Sequence, residues 1–179
     1  MRDLRDIFRR LPKDEGELRH KLRNFNFFVR KNGKAASVKD LAEQIGVDVY
    51  QVELPRGMAG RLVSDPFAES GYAIEVQKSQ NVRSKRFTVL HELGHYLIHL
   101  DKSDPLADPM FLDRGNDAFY FDGQQECEAN DVADTLLFGD GALAAALTLC
   151  GGDTNKLANY FGVTEKMIQV ALRKYGLRY

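Results

Sequence analysis

A chain of 179 residues, 44% apolar and 28% charged, has the length of one well-packed domain and an ordinary globular composition. Lys and Arg number 25 against 26 Asp and Glu, a formal net charge of −1, which speaks against a general nucleic-acid or anionic-membrane binder. MRDLRDIFRRLPKDEGELRHK is too charged for a signal peptide, no apolar run reaches membrane-spanning length, and Cys127 and Cys150 make no disulfide framework. A cytoplasmic protein is expected.

In chain order, RDLRDIFRRL reads as a short helix ended near Pro12, and ELRHKLRNFNFFV as a second helical stretch. NGK at 32–34 is a turn. Residues 1–34 are expected to form a helical N-terminal extension whose Phe25, Phe27 and Phe28 dock onto a main body of residues 35–179. Ser37 is a good N-cap for SVKDLAEQIG, with apolar residues at 38, 41, 42 and 45 and a stop at Gly46. VDVYQVEL alternates like a strand. RGMAGRLVS and GYAIEVQKS, flanking the turn residues of DPFAES, predict an antiparallel pair. A helix is predicted from about Ser84 to Leu100, then a long loop through 101–125 with two prolines and two glycines, a cleft cover or a passive connector. QECEANDVADTLLF is a further helix ended by Gly139. GALAAALTL and NKLANYFGVTEKMIQVALRKYGL finish the chain as helices.

Three of the four histidines fall in RFTVLHELGHYLIHLDK. His91 and His95 are about one helical turn apart and point the same way, on the flank of an apolar stripe made by Phe87, Leu90, Leu93, Leu97 and Ile98. Dry but reachable, that flank suits ligands of a divalent metal held between packed helices. Glu92 lies one step around the helix, beside a metal rather than on it, where it can take a proton from water and pass it on. His99 drifts toward the outer face and is expected beside the centre or solvated, and His20 at the surface.

A catalytic zinc takes three protein ligands and leaves a fourth position to water. Asp101 is a poor third ligand, because Ile98 lets the helix continue and carries Asp101 away. In QECEANDVADTLLF, Glu126 lies on the edge of the stripe Ala129, Val132, Ala133, Leu136 and Leu137, whereas Glu128 points well away. Glu126 is the better ligand, Asn130 is placed to hydrogen-bond a liganding histidine, and Asp131 is solvated. Gly94 costs about 1 kcal/mol in mid-helix relative to alanine; it is either tolerated or lets the two helices approach closely. Cys127 reads as a small buried side chain.

RFTVLHELGHYLIH, ECEANDVADTLL, SVKDLAEQIGVDV with GMAGRL and GYAIEV, and KLANYFGVTEKMIQVALRKYGL together resemble the ImmA/IrrE family of zinc metallopeptidases, over about residues 36–178. Phe138-Gly139 stands where relatives often have Met-Pro, and Val132-Ala133 where they have Phe-Ala; both changes concern packing rather than chemistry. The resemblance implies an α+β, mainly helical zincin-like domain with a small antiparallel sheet of about three strands packed on the active-site helix. It implies one zinc ion on His91, His95 and Glu126, and Glu92 as catalytic base. It further implies cleavage of a helix-turn-helix repressor, releasing stress-response or mobile-element genes.

Tyr96, Tyr120 and Arg86 are candidates to stabilise an oxyanion, and none is assigned; Tyr96 faces outward on a helical wheel. GYAIEVQKS is either a substrate-pairing strand or an ordinary one. The rival reading is a non-proteolytic module that binds DNA or a repressor and keeps a structural metal. LAEQIGV and LANYFGVTEKMI resemble helix–turn–helix pairs, but Glu165 suits phosphate poorly.

Overall fold

The computed structural model describes residues 3–100 and 123–178. Of the loop expected over 101–125, residues 101–122, with Asp101 and Tyr120, lie outside the described residues, and 123–125 are helical instead. The chain divides into two compact units, Met1–Ser37 with Asp134–Tyr179, and Val38–Ala133.

The first unit opens with α1 (Leu4–Phe8), where Asp3 Oδ1 accepts from the Arg5 amide at 2.7 Å. After Pro12 comes α2 (Gly16–Phe27). Arg19 gathers the intervening turn by donating to the carbonyls of Phe8, Leu11 and Pro12 at 3.3, 3.2 and 2.8 Å. Strands β1 (Arg30–Lys31) and β2 (Lys34–Ala35) form an antiparallel hairpin. Its two-residue turn, Asn32-Gly33, has φ of 51° and 76°, a left-handed pair that asparagine and glycine adopt most readily. Of the three phenylalanines expected to dock, Phe25 is buried, but Phe27 and Phe28 are 76% and 58% exposed. A helix ending at Phe27 turns only one face inward.

The second unit starts with α3 (Val38–Gln44). Gly46, at φ +91°, ends it and lets the Val47 amide return to the Ala42 carbonyl at 3.0 Å. Strands β3 (Asp48–Val52), β4 (Gly60–Ser64) and β5 (Tyr72–Gln77) form one sheet in the order β3-β5-β4. β4 and β5 pair antiparallel, with Leu62 opposite Ile74. β3 joins parallel to β5, with Asp48 opposite Ala73, so the sheet is mixed. Helix α4 (Val82–Ile98) packs on β4, β5 and α3. Asn81 caps it, accepting from the Ser84 amide at 2.9 Å. From Thr88 to Leu97 α4 is buried on every side, as befits a helix covered by both sheet and helix. Helix α5 (Gly123–Phe138) belongs to this unit through Ala133 and to the first unit from Asp134.

The first unit is completed by α6 (Ala142–Leu149), α7 (Thr154–Phe161) and α8 (Glu165–Tyr175). Asp153 caps α7 by accepting from the amides of Asn155 and Lys156, both at 2.9 Å. The Lys156 amide foremost holds its carboxyl below the usual range. Phe138 and Phe161 meet edge to face at 5.0 Å in the core of this unit. The buried Asn26 amide donates to the carbonyls of Thr135, Leu136 and Gly139 at 3.2, 3.2 and 3.3 Å, adding to the backbone amides of Gly139 and Ala142 at the C-terminal end of α5. No single helix among the described residues is long and apolar enough to cross a membrane.

Candidate metal centre

The site lies wholly within the second unit, where α4 meets α5. Gly94 makes that meeting possible. A Cβ built on it would stand 3.0 Å from the Ala129 carbonyl oxygen, 3.1 Å from Ala129 Cα and 3.2 Å from Val132 Cβ. Of the two readings of this glycine, close approach of the helices is the one the structure shows.

On α4, beside this seam, His91 Nε2 and His95 Nε2 are 3.1 Å apart. Glu126 places Oε2 at 3.4 Å from His91 Nε2 and Oε1 at 3.3 Å from His95 Nε2. Both imidazoles are buried, and the Glu126 side chain is 16% exposed. Two donors held about 2.05 Å from a tetrahedral ion would be roughly 3.3 Å apart. The imidazole pair, and each Glu126 oxygen with its nearer imidazole, lie close to that figure; with one ligand atom taken from each, the three residues lie within 4.8 Å of one another and could hold a metal ion.

Hydrogen bonding around the imidazoles fits the same role. His91 Nδ1 lies 2.9 Å from Asn130 Oδ1, an acceptor only, so Nδ1 carries the hydrogen and the Nε2 lone pair faces inward. His95 Nδ1 lies 3.0 Å from His99 Nδ1, and His99 Nε2 lies 3.1 Å from Glu128 Oε2. Read from the carboxylate, that chain also turns the His95 Nε2 lone pair inward. Two imidazole nitrogens and a carboxylate thus converge on one point, and these residues fit a divalent metal of the kind bound by imidazole and carboxylate.

Glu92 is 1% exposed, on the turn that carries His91. Its Oε1 passes 3.4 Å from where a Gly60 Cβ would stand, while Thr88 Cγ2 would be only 2.4 Å from that carbon. A glycine at the start of β4 thus keeps the strand's backbone beside the Glu92 carboxylate.

Several placements differ from expectation. Glu128 does not point away but reaches His99, because the long side chain flanks the helix seam on the side opposite Asn130. Tyr96 is buried, with its ring 6.0 Å from that of Tyr72; the sheet covers the side of α4 that a helical wheel assigns to solvent. Cys127, expected inside, is exposed. Arg86 is buried in α4, and desolvation pulls its guanidinium down to about 10. GYAIEVQKS supplies β5, the central strand, whose two edges are already paired with β3 and β4. His20 is exposed and bonds Asn24 at 2.9 Å, as a surface histidine should. Gly60, Thr88 and Glu128 escaped sequence reasoning. A His-x-x-x-His-x-x-x-His ladder did signal His99, but nothing in the sequence singles out Glu128.

Residues 42–173 match the Peptidase_M78 family, described as the IrrE N-terminal-like domain. The chain belongs to this peptidase family. Among solved structures, a Mycobacterium tuberculosis transcriptional regulator shares the fold at a TM-score of 0.55 and 19% identity, over 92% of this chain and 49% of that one. The chain therefore spans about half the length of that regulator. No curated protein matches it. The family is named for peptidases, and His91, His95 and Glu126, which could hold a metal ion, lie within the matched residues.

Proposed function

We propose that the chain is a zinc-dependent endopeptidase, with His91, His95 and Glu126 as ligands of one ion and Glu92 as catalytic base. The convergence of three lone-pair donors beside a buried glutamate on the same helix carries this reading. Such a glutamate has no use in a purely structural site. When bound, zinc supplies Lewis acidity that acidifies water and polarises a carbonyl. Glu92 takes the proton as the water oxygen bonds to the scissile carbon. It then delivers that proton to the amide nitrogen as the C–N bond breaks, leaving a carboxylic acid and an amine.

The substrate is an extended protein segment. Among the described residues the second edge of β4 pairs with no strand, and β4 starts beside Glu92. A peptide added there would pass the base while its backbone completes the sheet. We assign the peptidase domain to residues 35–179, with residues 1–34 as an addition to it, and the substrate to a helix-turn-helix repressor of stress-response or mobile-element genes in the cytoplasm.

The test is co-expression with the repressor encoded next to this chain. Wild type should truncate it, and Glu92→Gln should keep one zinc per chain while cleavage falls by about 10²–10⁴-fold. Equal truncation by both proteins would refute the role of Glu92. The rival reading, a regulatory module that only binds, draws on the pair α7 and α8 around Gly162 at φ +68°. It requires the repressor to be retained intact by both proteins.

A further inference from the structure

We infer that Glu128 and His99 act together as a positioning pair that sets the tautomer and ring direction of His95. This inference rests on the metal-centre reading above. The two liganding imidazoles are held differently. His91 Nδ1 faces a neutral amide, that of Asn130, at 2.9 Å. His95 is held by a relay of an imidazole and a carboxylate, with steps of 3.0 and 3.1 Å.

The order of hydrogens along the relay follows from its far end. The Glu128 carboxylate accepts, so His99 Nε2 carries a hydrogen. Neutral His99 then has its lone pair on Nδ1, facing His95 Nδ1. His95 must donate there, which leaves its Nε2 lone pair for the ion. Without the carboxylate, His99 is free to place its hydrogen on Nδ1 instead. It would then donate to His95 Nδ1, and His95 Nε2 would bear the hydrogen that blocks ligation. An anionic terminus also makes the imidazole it leans on a better electron donor.

Each member is held in turn. His99 is the C-cap of α4, and its amide donates to the His95 carbonyl at 2.9 Å, so the two residues keep a fixed relation. The rings of His95 and His99 are 5.0 Å apart. The His99 side chain is 7% exposed and that of Glu128 21%, so water competes little at the inner step. The other Glu128 oxygen, Oε1, accepts from Gln124 Nε2 at 3.2 Å. Helix α5 thus supplies a ligand at 126 and an anchor for each histidine, at 128 and 130.

Two near-isosteric substitutions separate hydrogen bonding from packing. Glu128→Gln keeps an accepting oxygen, whereas Glu128→Met keeps the shape and loses the acceptor. Zinc affinity of the full chain is measured by competition with a chromophoric chelator, alongside thermal unfolding of the metal-free proteins. The Gln variant keeps an acceptor but loses the charge and can turn its amide to donate. It should bind zinc more weakly than wild type but more tightly than the Met variant, which should bind about 10–100-fold more weakly than wild type. Metal-free unfolding temperatures of the two should agree. His99→Phe should match the Met variant. With cobalt at saturation, the Met variant should show a shifted visible band, reporting altered ligation rather than altered folding. Equal zinc affinities for the Met, Gln and wild-type proteins would overturn the pair alone. Failure of wild type to take up more zinc than Glu126→Ala would overturn the metal centre itself, and the pair with it.

Discussion

Gly94→Ala tests the helix seam on which the centre depends. In an exposed helix the change would gain about 1 kcal/mol. Here the new methyl would stand 3.0 Å from a carbonyl oxygen and 3.1 Å from a Cα, both of Ala129. Ordinary contacts begin near 3.5 Å, so α5 must retreat by about half an ångström, and helix backbone cannot swing aside as a side-chain tip can. Overpacking of this kind costs about 1–3 kcal/mol, which outweighs the propensity gain and leaves a net loss of roughly 0–2 kcal/mol. Glu126 and Asn130 sit on either side of Ala129 in the chain, so both move with the backbone that retreats. Urea unfolding of the metal-free protein, paired with zinc competition, reads the two effects separately. Stability should stay level or fall, and zinc affinity should drop about tenfold. A variant about 1 kcal/mol more stable than wild type, with unchanged zinc affinity, would refute the close-approach account.

Gly60→Ala should displace Thr88, whose Cγ2 would lie 2.4 Å from the new carbon, and disturb Glu92; cleavage should fall with zinc still bound, and adding Thr88→Ser should restore part of it. Asn26→Ala removes a donor from the Leu136 carbonyl and a second donor from those of Thr135 and Gly139, which keep the amides of Gly139 and Ala142, and should cost about 1–3 kcal/mol by denaturant unfolding, with Asn26→Asp worse because it adds a buried negative charge there. Tyr50 is pushed up to about 12, first by its hydrogen bond to Asp65, then by desolvation and Asp48. Its folded value exceeds the unfolded one, so its contribution is complete below about pH 10 and is lost as pH climbs toward 12. Tyr50→Phe should remove a late-ionising component from the ultraviolet alkaline titration.

The α4–α5 site was legible because its chemistry is periodic. His91 and His95 share a face by spacing alone, and Glu126 sits beside the apolar stripe of its own helix. Where partners come from elsewhere in the chain, periodicity is silent. Tyr96 looks exposed on an isolated helix and is buried because β5 supplies Tyr72. β5 looks like a free strand until β3 arrives parallel on its far side. The β1–β2 hairpin has strands of two residues each, too short for alternation, and only Asn32-Gly33 betrays it. Residues 1–34 read as an extension by their charge, yet Leu4, Ile7, Leu22 and Phe25 are buried, so deleting them would strip part of a core.

The third ligand candidate follows the second histidine by 31 residues (126 − 95). An unfolded chain can offer an ion the two imidazoles, but it cannot offer all three groups at one point without docking α5. Whatever cation settles there therefore prefers the native state, and at a hundredfold excess over its dissociation constant it would add about 2.7 kcal/mol to stability. Scarcity of the metal would then threaten the survival of the protein as well as its turnover.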